Sequence, residues 1–282
     1  MISVIALILA AQPAAALDTA RIEQLTGLKG KLDEKEGVFK VSYPRADIKA
    51  RVAGVRLTPP LGLTAWAAFS GGGAHTMMMG DMVLTEDQVN PALSAALDNG
   101  LEVTALHNHF FWDSPKVMFM HIGGLGQEAK LAEAVGKVIA RLQQPGEVPA
   151  ADIDPAKSTL DAARLDAAFG KKGDYQDGVY KATWGRTTRM HQMTMGNTMG
   201  VNTWAALAGS NEKAVIDGDF AMLEGELQNV LKTLRHAGID IVAIHSHMTG
   251  ETPRVLFLHY WGIGPAEELA RAVRAALSKT KQ

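Results

Sequence analysis

The sequence predicts an α+β fold made of two homologous repeats, each an antiparallel sheet with a histidine-bearing β-hairpin packed against helices. Three observations lead there. The stretch Ala105-Leu-His107-Asn-His109 returns as Ala243-Ile-His245-Ser-His247, and His121 returns as His259, every pair 138 residues apart. Positions 81–126 and 219–264, aligned without gaps, share 13 identities in 46 positions. Each half also interleaves period-two apolar runs with helical-period runs, the pattern of strands and helices that pack on one another.

The N-terminal stretch 1–16 is an apolar run of Ile, Val, Leu and Ala ending in Pro13-Ala-Ala-Ala16, a small-residue cleavage pattern. It is shorter than the roughly 20 apolar residues that span a bilayer. No Lys or Arg precedes it, so the pattern is incomplete, and export to the periplasm or medium is the expectation. The division that follows is repeat 1 over 17–142, a linker over 143–156 carrying Pro145, Pro149 and Pro155, and repeat 2 over 157–282. There is no cysteine among the 282 residues, which excludes disulfides, a lipid-bearing cysteine and thiolate metal sites. A formal charge of −2, with no basic cluster, argues against nucleic acid and against a polybasic membrane anchor.

Within each repeat a short helix is expected near 18–27 and 159–169, then strands near 37–43 and 63–69, matched by 178–184 and 201–208. Thr85-Glu-Asp-Gln88 reads as a capping box that opens a helix with Val89, Leu93 and Leu97 on its inner stripe, closed by Gly100. Its counterpart carries Leu227, Leu231 and Leu234 and closes at Gly238. The histidine hairpin follows, then a last helix over 127–142 or 265–279.

His107 and His109 are two apart on a strand and so share a face. A turn centred near Ser114 sets His121 opposite His107, and the same construction sets His259 opposite His245. Opposed Cβ atoms stand about 4.5–5.5 Å apart, and imidazole binds zinc at about 2.0–2.1 Å. Each triad is therefore a candidate site for a divalent metal, zinc or copper: His107, His109 and His121 in repeat 1, and His245, His247 and His259 in repeat 2. A single strand histidine reads first as a hydrogen-bonded, half-buried residue. Three on one face, written twice, point to metal.

Neutral imidazoles leave the ion's charge uncompensated, so acids matter. Asp113 and Glu251 each follow the second histidine by four residues, a spacing shared with the first cupin motif. The rest of that motif is missing, and capping of the turn is an equal reading. Glu86 with Glu224 and Asp81 with Asp219 are further matched acids, and the sequence does not choose among them. Asp113, Glu251, Glu86 and Glu224 are the candidates for a general base. The Gly-x-Gly steps Gly124/Gly126 and Gly262/Gly264 precede a helix N-terminus, where a small anionic ligand could sit. Methionines cluster with histidine in His75-Thr-Met77-Met-Met79 and Met190-His191-Gln-Met193-Thr-Met195. Thioethers are soft ligands for Cu(I), but the first reading is core filling.

The paired His-Asn-His and His-Ser-His hairpins, Gly80-Asp81, Glu86, and Phe119-Met-His121 with Phe257-Leu-His259 resemble the LppY/LpqO-like family of uncharacterised exported bacterial proteins. The resemblance spans both repeats and implies an exported protein with a duplicated domain; it carries no activity. The lipoprotein members' cysteine is missing, which implies a soluble form. Two functions stand: a metal-dependent, zinc-type hydrolase with an open coordination position, or a non-enzymatic copper or zinc binding or sensing protein.

Overall fold

A computed structural model describes residues 16–281. The export segment expected over 1–16 lies outside the described residues, apart from Ala16. The helices are α1 (Thr19–Thr26), α2 (Glu86–Asp98), α3 (Glu128–Leu142), α4 (Ala162–Phe169), α5 (Leu227–His236) and α6 (Ala266–Leu277). Repeat 1 supplies strands β1 (Gly30–Asp33), β2 (Val38–Pro44), β3 (Thr64–Ser70), β4 (Thr76–Thr85), β5 (Glu102–Asn108) and β6 (Val117–Gly126). Repeat 2 supplies β7 (Asp174–Gln176), β8 (Val179–Gly185), β9 (Asn202–Gly209), β10 (Ala214–Leu223), β11 (Asp240–His245) and β12 (Val255–Gly264). No described helix is long and apolar enough to cross a membrane.

The repeats do not form two sheets. These twelve strands join one antiparallel sheet in the order β1-β2-β3-β4-β6-β5-β11-β12-β10-β9-β8-β7, which reads the same from either edge once the halves are exchanged, while five shorter strands form separate two- and three-stranded sheets. The join is narrow, a pairing of Leu106 on β5 with Ile244 on β11. Side-chain amides extend it. Asn90 of α2 accepts from the Ile241 amide (2.8 Å) and donates to the Ile241 carbonyl (3.2 Å), and Gln228 of α5 does the same for Val103 (3.0 and 2.9 Å). Val103 and Ile241 each stand at a register shift in their own ladder. Each helix therefore satisfies backbone groups of the other repeat that a bulge frees from regular pairing.

Period two sets the inner face of the strands, while Ala221, Val255 and Phe257 form a small second cluster on the opposite face. Phe69, Met78, Met82, Leu106, Met120 and Ile122, with Leu207, Ile216, Phe220, Ile244, Leu258 and Tyr260, face the helices and are buried in one core that runs through both repeats. The expected capping box opens α2, with Gln88 reaching back to the Thr85 amide at 3.2 Å, and the structure adds a cap at α4, where Asp161 accepts from the amides of Ala163 and Arg164. Gly124 and Gly262 are strand residues and not turn residues, because β6 and β12 run on to Gly126 and Gly264. A Cβ at Gly124 would stand 2.8 Å from Leu131 of α3, so this glycine lets a helix pack closely.

Candidate metal centres

Among the described residues no α-helix packs over the other face of the sheet, and the histidines stand there. The expected register is off by two residues. Ala105, not His107, pairs with His121, and His107 pairs with Phe119; in repeat 2, Ala243 pairs with His259 and His245 with Phe257. A shift of two leaves every side chain on its face, so the histidines still gather. The ring of His107 lies 5.1 Å from that of His109 and 5.2 Å from that of His121; His245 lies 5.1 Å from His247 and 4.9 Å from His259.

The second histidine of each copy lies just past the strand end and is held by a phenylalanine. His109 stacks on Phe119 with centroids 3.3 Å apart, and His247 stacks on Phe257 at 3.5 Å. The available signal was the Phe-x-His written in both copies.

The acid of each site comes from the neighbouring strand. Asp81 on β4 pairs directly with His121, and Asp219 on β10 with His259. His247 Nε2 lies 3.3 Å from Asp219 Oδ2. Each aspartate follows a glycine that the crowded inner face requires: a Cβ at Gly218 would stand 2.2 Å from the Tyr260 ring, and one at Gly80 would stand 2.8 Å from the Trp66 carbonyl. Asp81 and Asp219 also pair across their other edge with Trp66 and Trp204, over which Lys40 and Lys181 sit at 4.0 and 4.4 Å.

The other candidate acids go elsewhere. Asp113 Oδ2 accepts from the Val117 amide (2.8 Å), and Glu251 Oε1 accepts from the Val255 amide (3.1 Å), so both hold the loop that carries the chain from β5 to β6 or β11 to β12. Lys116 adds an ion pair to Asp113 at 3.3 Å. Glu86 opens α2, and Glu224 opens the short 3-10 turn before α5, where a negative charge suits the helix dipole. Among the described residues, no hydrogen bond or ion pair joins these four acids to a histidine of either cluster.

The electrostatics favour neutral, lone-pair-bearing ligands. Burial pushes the Asp81 and Asp219 carboxyls above the usual carboxylate range, against the pull of the three imidazoles beside each. Burial likewise pushes His109 and His245 below the usual imidazole range. His259 Nδ1 donates to the Gly218 carbonyl at 3.3 Å, and His107 Nδ1 donates to the Asn108 carbonyl at 3.4 Å. A carbonyl only accepts, so Nδ1 carries a proton in both rings, and Nε2 is the nitrogen left to face an ion. In repeat 2 one ligand atom each from Asp219, His245 and His247 lie within 4.8 Å of one another. Asp219 Oδ1, His245 Nε2 and, in repeat 1, Asp81 Oδ1 are buried without a hydrogen-bond partner.

The family model described as Domain of Unknown Function (DUF1259) matches this chain twice, over residues 20–141 and 163–279. The chain belongs to that family. The two matches correspond to the two halves of the sheet, so the duplicated domain is itself the family's unit. No curated protein matches the chain. Among solved structures, a trimeric bacterial microcompartment shell protein, PduB, aligns at 12% identity and a TM-score of 0.21 over 88% of this chain and 89% of its own. An aspartate kinase from Synechocystis aligns at 11% identity and a TM-score of 0.17 over 74% of this chain and 41% of its own. At those scores neither likeness carries an argument.

Proposed function

We propose that each repeat holds one metal ion between its aspartate and its histidines, and that the family's duplicated domain is a metal-binding unit. The observation that carries the proposal is the pair of buried, unpartnered atoms, Asp219 Oδ1 and His245 Nε2, within a cluster whose ligand atoms lie within 4.8 Å. A buried polar atom left unpaired costs about 1–3 kcal/mol; an ion between these groups would recover it. Two ligands about 2.0–2.1 Å from one zinc ion stand at most ~4.2 Å apart, so closing Asp219, His245 and His247 of repeat 2 on an ion asks for side-chain movements of about an ångström. Aspartate in place of the bases named from sequence supplies charge compensation from inside the cluster.

The centres stand on the face of the sheet away from the helices, where His109 and His247 are exposed and solvent can complete the coordination. Water on a zinc-type ion there would have its pKa lowered to about 7, which supports a metal-dependent hydrolase over a closed structural site. The alternative, copper or zinc binding or sensing without turnover, uses the same ligands. The resemblance to the LppY/LpqO-like family and the apolar segment at 1–16 support an exported location.

Elemental analysis of untagged protein from its exported compartment tests the reading. About two ions per chain are expected, with His107→Ala and His245→Ala each removing one while the circular dichroism spectrum is unchanged. A chain that carries no metal and takes up neither zinc nor copper on titration overturns it.

A further inference from the structure

The methionines of β4 do not all fill the core. Alternation along Met77-Met78-Met79 buries Met78 and leaves Met77 and Met79 on the histidine face, 52% and 57% exposed. Met79 is two residues from Asp81 and shares its face. Its partner across the ladder is Gly123, while Asp81 pairs with His121, so Met79 is the diagonal neighbour of His121 with no side chain between them. Diagonal neighbours stand about 7–8 Å apart, within reach of long side chains, and a thioether on three rotatable bonds is such a side chain. The same place in repeat 2 is held by Asp217, paired with Trp261.

The two faces therefore offer different chemistry around the same histidines. Repeat 1 adds a soft thioether to one carboxylate, and repeat 2 adds a second carboxylate within one row of Asp219. Soft sulfur ligands select Cu(I), and imidazole with carboxylate suits divalent ions. Charge points the same way: one carboxylate balances a monovalent ion, and two balance a divalent one. Resting on the reading that the histidine clusters bind metal, we propose that the centres have specialised, repeat 1 for Cu(I) with Met79 as a ligand, and repeat 2 for a divalent ion such as zinc.

The test is competitive titration of the full chain with Cu(I) under anaerobic conditions against a chromogenic Cu(I) chelator, alongside zinc titration of the same protein. One tight Cu(I) per chain is expected, with sulfur in its X-ray absorption shell. Met79→Leu, a near-isosteric change at an exposed position, is expected to weaken Cu(I) at least tenfold and remove that sulfur while leaving zinc stoichiometry unchanged. His245→Ala is expected to abolish the tight zinc site and spare Cu(I). The specialisation is overturned if Met79→Leu binds Cu(I) like the wild type, or if His245→Ala and His121→Ala lose the two metals equally. Those results differ from the failure of the metal reading itself, in which the wild type binds neither ion.

Discussion

Repeat 1 and repeat 2 build the same anchor beneath their histidine face and satisfy it differently. In each, an arginine at the end of the second strand donates to a carbonyl of the acid-bearing strand: Arg45 to Val83, and Arg186 to Ala221. Arg45 then meets the neutral amide oxygen of Gln88 (3.0 Å) and takes its countercharge from the half-exposed Asp47 (2.8 Å). Arg186 meets Glu226 directly (2.9 Å), with both side chains nearly buried. The reason lies in what the end of the last helix presents. Gln88 Nε2 donates to the carbonyls of Leu142 and Gln144, whereas Glu226 accepts from the amide of Lys281. An end that offers carbonyls needs a donor, and one that offers N–H needs an acceptor. The duplication has kept the arginine and fitted its partner to the local backbone.

That difference predicts unequal damage. Arg186→Ala leaves the nearly buried Glu226 carboxylate without its cation, a loss of about 3–5 kcal/mol for a broken buried pair. Arg45→Ala strands no charge, since Asp47 faces solvent, and is expected to cost less. Urea denaturation of the two variants side by side checks this, and equal midpoints would break the comparison.

The seam is the next test, because there the repeats are alike. Gln228→Ala leaves the amide and carbonyl of Val103 unpaired at the bulge, and Asn90→Ala does the same to Ile241. Each is expected to cost about 1–3 kcal/mol, with hydrogen exchange at Val103 or Ile241 accelerated in the matching variant alone. Loss of protection at both positions in either variant would mean that the seam opens as one unit.

What the sequence made legible follows from which signals are local. Thr85 and Gln88, three apart, announced a helix start, and His107 and His109, two apart, announced a shared face. The pairing of His107 with Phe119 was not legible because a two-residue shift leaves the period-two pattern unchanged, and only the bulge at Val103–Ala105 reveals it. The single sheet was hidden for another reason. Its junction rests on one strand pairing and on the amides of Asn90 and Gln228, contacts between residues more than a hundred positions apart that no local period records. Asp81 and Asp219 were visible as matched acids after matched glycines, yet Asp113 and Glu251 were equally matched. Choosing required knowing that β4 and β10 lie beside β6 and β12, and strand order is not written in spacing.

The smallest effect is also the one that isolates charge from shape. Burial raises the Glu226 carboxyl, but the Arg186 ion pair and the amides of Lys281 and Leu223 outweigh it, so its folded value lies below the ordinary one. A depressed carboxylate contributes stability that is full above its unfolded pKa, about 4.3 for Glu, and that is lost as pH falls from there through the folded value. Gln88, its counterpart, cannot titrate, and Asp47, which Arg45 also holds below the ordinary value, is half exposed, so solvent screens that pair and it contributes less. Repeat 2 is therefore expected to lose protection before repeat 1 as the pH drops below about 4.3, read as hydrogen exchange in α5 against α2. In Glu226→Gln the acid-sensitive part should vanish, leaving a repeat 2 that is weaker at neutral pH and loses less on acidification. If both repeats soften together in the wild type and in that variant, the core they share, and not the Arg186–Glu226 pair, sets the acid limit.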